Sequence, residues 1–268
     1  MLVIFSGCSG VGKNTIINRL ISENDSYGIM PTYTTRDRRP GEKDGIPYYF
    51  LTDEQFEEKI SEGEFYEYER VHNHYYGTSR KLLAESVASG KTLMKDIDVN
   101  GAINLSNILK NDVKIVSLFL YVESADILVE RLTGRGEKDI ELRLQRYEHE
   151  MSKLPMYSYI INNKSLETTS TLVDSLVNFE KNNRKILSSV SSDKISEEKI
   201  NEAVKIYESG EFPEPVKVNV CDGKFVIIEG VERYIASLRC GKTIAKDLVL
   251  ASDISDAYEI EACKSEKK

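Results

Sequence analysis

The chain has 268 residues, of which 40% are hydrophobic and 30% charged, with 15 Tyr and no Trp. This composition excludes fibrous, low-complexity and disordered classes, and the length favours two domains over one. The net charge of −8 disfavours broad attraction to nucleic acid, so we do not expect DNA as a partner.

The apolar segments are too short to cross a bilayer. The longest, from Ile115 to Val122, is interrupted by Ser117, and Met1 leads within six residues into a glycine motif, so we expect neither a membrane partner nor a signal peptide. Four cysteines lie far apart without a Cys-x-x-Cys pair, which predicts no zinc site and no disulfide framework. We therefore expect a cytoplasmic protein.

Predicted strands and helices alternate through the first part of the chain. The apolar run Leu2 to Phe5 predicts a buried parallel strand, and the apolar spacing in Lys13 to Ser22 predicts a helix. Alternation of this kind predicts an α/β fold with a mostly parallel sheet. The other predicted strands are Thr92 to Lys95, Lys114 to Val122 and Tyr159 to Ile161, and the other helices are Asp53 to Ser61, Ser79 to Ser89 and Ala125 to Leu132.

Two further helices and a small α+β pattern are predicted after these elements. The helices are Lys138 to Lys153 and Leu166 to Ile186, and the serine-rich stretch after them lacks apolar periodicity. We predict a first domain at 1–186, a linker at 187–194 and a second domain at 195–268. The second domain's elements are a helix at Ser196 to Ser209, strands at Val216 to Val220 and Lys224 to Ile228, and a helix from Gly230.

A phosphate-binding loop is predicted between the first strand and the first helix. The motif Gly-x-x-x-x-Gly-Lys runs from Gly7 to Lys13, in the strand-to-helix context that it requires. Its glycines let backbone N–H groups point at phosphate oxygens, and Lys13 adds a point charge. Asn14 stands where the motif has a Mg²⁺-binding hydroxyl residue, and Thr15 follows it. The predicted nucleotide ligands are Gly7, Ser9, Gly10, Val11, Gly12, Lys13, Asn14 and Thr15.

A cluster of arginines and tyrosines predicts a second anion site. Three arginines lie between Pro31 and Glu42, and the segment Gly45 to Phe50 supplies two tyrosines. Arginine forks bind phosphate oxygens in pairs, and tyrosine hydroxyls donate to the same oxygens. Taken alone, such a charged run is more often a solvated loop.

These motifs resemble the guanylate kinase family from about Leu2 to Phe179. The resemblance rests on the phosphate loop, Thr-Thr-Arg-x-x-Arg-x-Gly-Glu, Gly-x-x-Tyr-x-Phe, Glu-Phe-Tyr-Glu, Tyr-Tyr-Gly-Thr and Asp-Ile-Asp-Val-Asn-Gly, in family order and near family spacing. It implies a P-loop kinase with a GMP-binding subdomain and a lid, which transfers a phosphoryl group from ATP to GMP, and to dGMP, with Mg²⁺ as cofactor.

The resemblance also implies roles for single residues. Asp96 positions hydrated Mg²⁺ or the donor-site network, together with Asn14 as a metal candidate. Lys95 falls where the family usually has an apolar residue, and it points either between helices or toward Asp96. Guanine offers N–H donors that suit Glu67 and an O6 acceptor that suits Thr78. The implied GMP ligands are Thr32, Arg36, Arg39, Tyr48, Glu67, Tyr76, Thr78 and Asp98.

Mobile arginines are the expected catalytic groups, since phosphoryl transfer needs alignment and positive charge. The segment from Arg131 to Arg135 and the later Arg143 resemble the family's lid, with Arg146 as the alternative to Arg143. Together with Lys13, the expected catalytic residues are therefore Arg131, Arg135 and Arg143. Asn162 matches an adenine-side position.

The tail resembles the ParB/sulfiredoxin-type domain between Ile206 and Ala236. In that superfamily a Gly-x-x-Arg turn opens a helix, which makes Gly230 and Arg233 a candidate site for a second nucleotide. Val231 replaces the sulfiredoxin cysteine, and the tail from Asp193 carries 16 acidic against 12 basic residues, so neither that repair chemistry nor DNA partitioning is expected. A packing or oligomerisation module is the alternative.

Two alternatives to a GMP kinase stay open from the sequence. One is a non-catalytic scaffold, although an intact loop with Lys13 argues against it. The other is a kinase acting on a modified guanine nucleotide. The tail is expected to regulate or assemble the enzyme.

Overall fold

The computed structural model describes residues 1–38, 41–71, 73–134, 136–137, 140–250 and 257–260, except for the side chains of residues 142 and 143. It divides into two compact units. The first comprises Met1–Ser6 and Lys13–Ser117, and the second comprises Gly7–Gly12 and Leu118–Lys268.

A parallel sheet and helices form one part of the first unit. In this sheet β8 (Thr92–Asp96) lies between β1 (Leu2–Gly7) and β2 (Tyr27–Ile29), all parallel. Leu2 to Phe5 are fully buried, as expected for a strand covered on both faces. Ile16, Ile17 and Leu20 form the buried side of α1 (Lys13–Glu23), as their spacing predicts. The other helices are α2 (Asp53–Ser61), α3 (Arg80–Ala88) and α4 (Val99–Leu109).

The rest of the first unit is a five-stranded sheet that sequence periodicity did not predict. Its strands are short. The hairpin formed by β6 (Phe65–Val71) and β7 (His74–Ser79) alternates only weakly between buried and exposed positions. The strand order is β4-β5-β3-β7-β6. The strands are β3 (Thr32–Thr34), β4 (Lys43–Asp44), β5 (Pro47–Phe50), β6 (Phe65–Val71) and β7 (His74–Ser79).

The second unit contains a mixed sheet in the order β15-β11-β13-β12-β14-β10-β9. The pairs β9–β10, β10–β14, β12–β14 and β11–β13 are parallel, whereas β12–β13 and β11–β15 are antiparallel. The predicted fold class, α/β with a mostly parallel sheet, is therefore confirmed. The strands are β9 (Ile115–Tyr121), β10 (Tyr159–Asn162), β11 (Leu187–Ser188), β12 (Val216–Cys221), β13 (Lys224–Glu229), β14 (Lys246–Val249) and β15 (Tyr258–Glu259).

Six α-helices are described in the second unit, and two of them correct the sequence prediction. The single helix expected at 138–153 is, over the described residues from 140 onward, two short helices separated by a turn at Gln145 and Arg146. The helix expected to end at Ile186 ends at Lys181, close to Asn183 with a φ of 47°. The helices are α5 (Ala125–Gly134), α6 (Ile140–Leu144), α7 (Tyr147–Ser152), α8 (Leu166–Lys181), α9 (Glu197–Glu208) and α10 (Val231–Cys240).

The C-terminal segment contributes strands to the same sheet as β10. Strand β14 pairs in parallel with β10 on one side and with β12 on the other. This arrangement covers the backbone groups that an edge strand leaves unpaired. Part of the stretch predicted as a linker is strand β11, which pairs with β13. The Phe179 and Phe225 rings stack 4.1 Å apart and join α8 to β13.

Candidate active site

Close packing fixes the shape of the glycine loop between β1 and α1. Gly7 has a φ of 129°, and a Cβ atom there would lie 2.1 Å from the Leu120 carbonyl oxygen. Gly12 has a φ of 105°, and a Cβ atom there would lie 2.7 Å from the amide nitrogen of Asn163. Only glycine fits these two positions. Between them, Ser9 and Gly10 are partly buried and Val11 is buried.

One carbonyl group of the loop is held by two side chains from distant positions. The Val11 oxygen accepts a hydrogen bond from Nη1 of Arg131 at 3.0 Å and another from Nδ2 of Asn163 at 2.6 Å. Nη2 of Arg131 also donates to the Asn163 carbonyl at 2.9 Å, and Oδ1 of Asn163 accepts from the Thr169 hydroxyl at 2.8 Å. Asn163 is buried, so these bonds are made away from solvent. These bonds restrain the conformation of the loop.

In the first unit, Lys13 and Asp96 belong to a connected polar group. The Lys13 ammonium, in the first residue of α1, lies 3.9 Å from Oδ1 of Asp96, and the Tyr48 hydroxyl donates to Oδ2 at 3.4 Å. Burial raises the pKa of Asp96, and the Lys13 charge offsets part of this rise. Burial also raises the pKa of the Tyr48 hydroxyl, which a hydrogen bond with Asn14 lowers in part. Thr15 is exposed.

Glu67 and Thr78 face each other across the β6–β7 hairpin. They are register partners, and the Thr78 hydroxyl donates to the Glu67 carboxylate. Thr78 is fully buried, and burial raises the pKa of Glu67 above the usual carboxyl range. The nearby Lys95 charge lowers that pKa. The two residues that sequence analysis assigned to the guanine base therefore lie side by side.

Lys95 is fully buried beside the same group. Its Nζ donates to Oγ1 of Thr32 at 2.7 Å, and burial lowers its pKa to about 8. The charges of Glu67, Asp96 and Asp98 act in the opposite direction and stabilise the ammonium. The lysine thus points toward the predicted base ligands Thr32 and Glu67, with Asp96 as a further charge partner, an orientation that the sequence did not specify.

Asp98 caps α4 and lies near the base group. Its Oδ1 accepts from the N–H groups of Asn100 at 2.9 Å and Gly101 at 3.2 Å. An N-cap carboxylate stabilises the start of a helix through these two bonds. Its charge also raises the pKa of both Glu67 and Lys95, so the cap contributes to the electrostatics of the site.

The predicted phosphate ligands Arg36, Tyr48 and Tyr76 lie together. The Arg36 guanidinium carbon is 5.3 Å from the centre of the Tyr48 ring, and the Tyr76 ring lies 6.0 Å from the same ring. Nη2 of Arg36 also donates to both oxygens of Glu42, at 2.8 and 2.9 Å. This pair orients the guanidinium before phosphate arrives. Arg39 lies outside the described residues.

The predicted lid and adenine-side residues are only partly described. Arg131 contacts Val11 and Asn163, as given above, whereas Arg135 and the side chain of Arg143 lie outside the description. The alternative, Arg146, is partly buried just before α7. Nδ2 of Asn162 donates to Oε1 of Glu123 at 2.9 Å.

In the C-terminal segment, Gly230 and Arg233 form a turn that is held internally. Gly230 has a φ of 85° and precedes α10, and the Arg233 guanidinium lies over its backbone. Nη2 of Arg233 donates to the Pro215 carbonyl at 3.1 Å and lies 3.8 Å from Oε1 of Glu229. The guanidinium therefore has a structural partner at this turn.

Sequence reasoning did not identify two residues that support the site. Asn163 lies just beyond the carboxyl end of a predicted strand. Ligands bind at such ends in open α/β sheets, so its position could have marked it as a site residue. Glu42 closes the arginine-rich motif, but its pairing with Arg36 depends on a chain reversal that the motif does not specify.

Among the described residues, no helix has the length and apolar character needed to span a bilayer. In the same part of the chain, no group of three or more His, Cys, Asp or Glu side chains is arranged to hold a metal ion.

A glycine loop ending in lysine after a parallel strand, together with polar residues grouped where the sequence predicts a base and its phosphate, is typical of a P-loop nucleoside monophosphate kinase. Residues 1–180 match the family model described as guanylate kinase. The chain belongs to the guanylate kinase family.

Individual relatives agree with this assignment. A guanylate kinase of Clostridioides difficile (strain 630) is 33% identical over 201 residues, which are 74% of this chain and 97% of the relative. One of Chlorobium chlorochromatii is 37% identical over 182 residues, covering 66% of this chain and 95% of the relative. The crystal structure of guanylate kinase from Anaplasma phagocytophilum matches with a TM-score of 0.56 and 28% identity, covering 67% of this chain and 85% of that one.

The two hydrogen bonds that Arg131 and Asn163 donate to the Val11 carbonyl lead to a first prediction. Asn163→Ala removes one of the two donors, and an unmade buried hydrogen bond costs about 1–3 kcal/mol, so we expect ATP to bind about tenfold more weakly. GMP affinity should not change, because its predicted ligands do not contact Asn163. Calorimetric titrations with each nucleotide measure both constants. Asn178→Ala, on the exposed side of α8, is the control, and equal ATP affinities in the two variants would contradict the prediction.

Proposed function

We propose that this chain transfers the γ-phosphoryl group of ATP to GMP, and to dGMP, through the residues described above. The observation that supports this most directly is the hydrogen-bonded pair of the partly buried Glu67 and the buried Thr78, beside the buried Lys95. Guanine presents N1–H and N2–H₂ to a carboxylate and O6 to a hydroxyl, whereas adenine presents a different edge. A buried site of this kind rejects a base that leaves its polar groups unpaired.

In this proposal the loop binds the ATP phosphates and the arginines neutralise the charge that develops during transfer. Gly7, Ser9, Gly10, Val11 and Gly12 supply the loop backbone, and Lys13 supplies the point charge. Asn162 lies on the adenine side, and Arg131, Arg135 and Arg143 are the proposed lid. The Arg131 bonds to Val11 and Asn163 give it a second task in shaping the loop.

Mg²⁺ is the proposed cofactor, and the residues present fit it. Magnesium keeps several waters and binds through one or two carboxylates plus substrate phosphates, so it needs no cage of protein ligands. Asp96, beside Lys13 and Tyr48, offers one such carboxylate, acting through water. When bound, the ion neutralises phosphate charge. Asn14 occupies the position of the usual hydroxyl ligand.

The C-terminal segment is proposed to be a regulatory or assembly element of ParB/sulfiredoxin type, with its boundary at 187–194. Strand β11 and the pairing of β14 with β10 support close integration with the kinase part of its unit. Gly230 and Arg233 stay the sequence-based candidate for an anion, and binding there requires exchange of the Arg233 bond to Pro215. A cytoplasmic location belongs to the same proposal.

Glu67→Gln tests the base site. The amide places N–H donors against those of guanine, so we expect kcat/KM for GMP to fall about 10- to 100-fold while ATP affinity is kept. Release of ADP is measured with GMP, dGMP, AMP, UMP and CMP as acceptors. Glu58→Gln, an exposed carboxylate on α2, is the control. Comparable rates with AMP and GMP in the unmodified chain would overturn the assignment of guanine, and ATP binding without activity toward any acceptor would favour the scaffold.

Lys95→Met gives a prediction on pH dependence. Glu67 must be ionised to accept the guanine N–H groups, and the Lys95 charge lowers its pKa. Removing that charge raises the pKa of Glu67 further, so the acid limb of kcat/KM for GMP should move to higher pH. Profiles between about pH 5 and pH 8 measure the limb. The exposed variant Lys91→Met is the control, and coincident profiles for the two variants would refute the proposed coupling.

Lys95 also supports the second candidate function, a kinase of a modified guanine nucleotide. A buried ammonium beside the base ligands favours an acceptor base with an additional oxygen or negative charge. Higher kcat/KM with such a base than with GMP, lost in Lys95→Met, would establish it.

Asn14→Ser tests the metal position. The hydroxyl restores the usual ligand, so we expect a several-fold tighter apparent affinity for Mg·ATP with unchanged acceptor selectivity. Magnesium titrations at fixed ATP measure the affinity. Asn18→Ser, the same change at an exposed position of α1, is the control. An unchanged Mg²⁺ dependence would remove Asn14 from the metal site.

A further inference from the structure

The second unit contains a cavity of about 400 Å³ that lies outside the kinase residues discussed so far. It is lined by residues from β10, α8 and the segment after it, and by C-terminal residues from α10, β14 and β15. A volume of this size suits a nucleotide-sized ligand, since small-molecule sites typically span about 300–1,000 Å³.

Two oppositely charged groups line the cavity. The Lys246 ammonium donates to the Ile244 carbonyl at 3.2 Å and lies 5.0 Å from the centre of the Tyr159 ring. Oε1 of Glu180 accepts from the Tyr159 hydroxyl at 2.5 Å. Burial lowers the pKa of Lys246 to about 8, and the Glu180 charge opposes that shift, so the two groups interact electrostatically. An ammonium and a carboxylate in one cavity can donate to and accept from the same ligand.

Aromatic rings and exposed cations complete the lining. Tyr159 and Phe179 are buried in the wall of the cavity, and the partly exposed Tyr234 supplies aromatic surface for a planar ring. Arg184 and Lys185 also line the cavity, and both side chains are exposed, with Nη1 of Arg184 donating to the Gly223 carbonyl at 2.8 Å. With Lys246 they bring three positive charges to the cavity, against the two carboxylates of Glu180 and Glu259. The lining is therefore net positive although the chain as a whole is acidic, which favours an anionic ligand.

A guanine ring meets these requirements in one orientation. Its N1–H and 2-amino donors match Glu180, its O6 acceptor matches Lys246, and its phosphates match Arg184 and Lys185. A zwitterionic amino acid would satisfy Lys246 and Glu180, but it would leave the two exposed cations unused and fill less of the volume. The base site of the first unit uses the same chemical pair, Glu67 with the buried Lys95.

We propose that this cavity is a second binding site for a guanine nucleotide, separate from the GMP acceptor site. The proposal does not depend on catalysis, because none of its residues belongs to the kinase machinery described above. The cavity lies where α8, β10, α10 and β14 meet, and it is a different site from the sequence-based candidate at the Gly230 turn.

The test is the stoichiometry of GDP binding to the full-length chain, measured by equilibrium dialysis. We expect two equivalents per chain, and one in Glu67→Gln, whose acceptor site is weakened. Adding Lys246→Met or Glu180→Gln to the Glu67→Gln chain should weaken the remaining site at least tenfold. Lys242→Met, an exposed lysine just before β14, is the matched control and should leave it unchanged. An unfolding midpoint near that of the parent confirms that each variant is folded.

Several results would overturn the proposal. They are a single equivalent of GDP in the unmodified chain, no residual binding in Glu67→Gln, or a second site indifferent to both Lys246→Met and Glu180→Gln. Parallel dialysis with ATP, CTP and free tyrosine tests the identity of the ligand. Tighter binding of any of these at the Lys246-dependent site would assign the cavity to another class of ligand. Failure of GMP phosphorylation with two GDP equivalents retained would refute only the kinase function.

Discussion

The conformation of the glycine loop depends on the hydrogen bonds that the Val11 carbonyl accepts. The glycines let the backbone curl, but they supply no side chains to hold the curl in place. Arg131 and Asn163 supply that restraint from outside the loop through two hydrogen bonds to one oxygen. Asn163 is in turn held by Thr169, at the start of α8. Preorganised N–H donors avoid the cost of ordering the loop when phosphate binds.

A second constraint is the balance of buried charge at the base site. Burial raises the pKa of Glu67 and of Asp96, and this alone would favour their neutral forms. Lys95 and Lys13 oppose this by lowering the pKa of the carboxylates they face. Removing one partner of such a buried pair costs more than the pair contributes, because an uncompensated charge is left behind. Lys95 thus helps to keep Glu67 ionised, and only the ionised carboxylate accepts hydrogen bonds with both oxygens.

The sequence predicted the central elements because their signals are local. Buried strands such as Leu2 to Phe5 and the amphipathic helix α1 follow from apolar periodicity, and Gly7 to Lys13 follows from a motif with a backbone mechanism. The five-stranded sheet was not predicted, since its strands are short and half-exposed and pair across long chain separations. The two side chains that donate to the Val11 carbonyl lie 120 and 152 residues away from it in the chain, and no local pattern specifies such contacts. The sequence also did not predict that β14, in the C-terminal segment, pairs with β10 and so belongs to the same sheet.

Strand β10 links the features of the second unit. Its first residue, Tyr159, contacts Lys246 and Glu180 in the cavity, and the residue after its last one is Asn163, which holds the loop. A strand of four residues spans only about 13 Å, so a short, hydrogen-bonded segment separates the cavity from Asn163. Strands β9 and β14 pair with β10 on its two sides. The C-terminal segment is therefore separated by one short strand from the residue that holds the glycine loop.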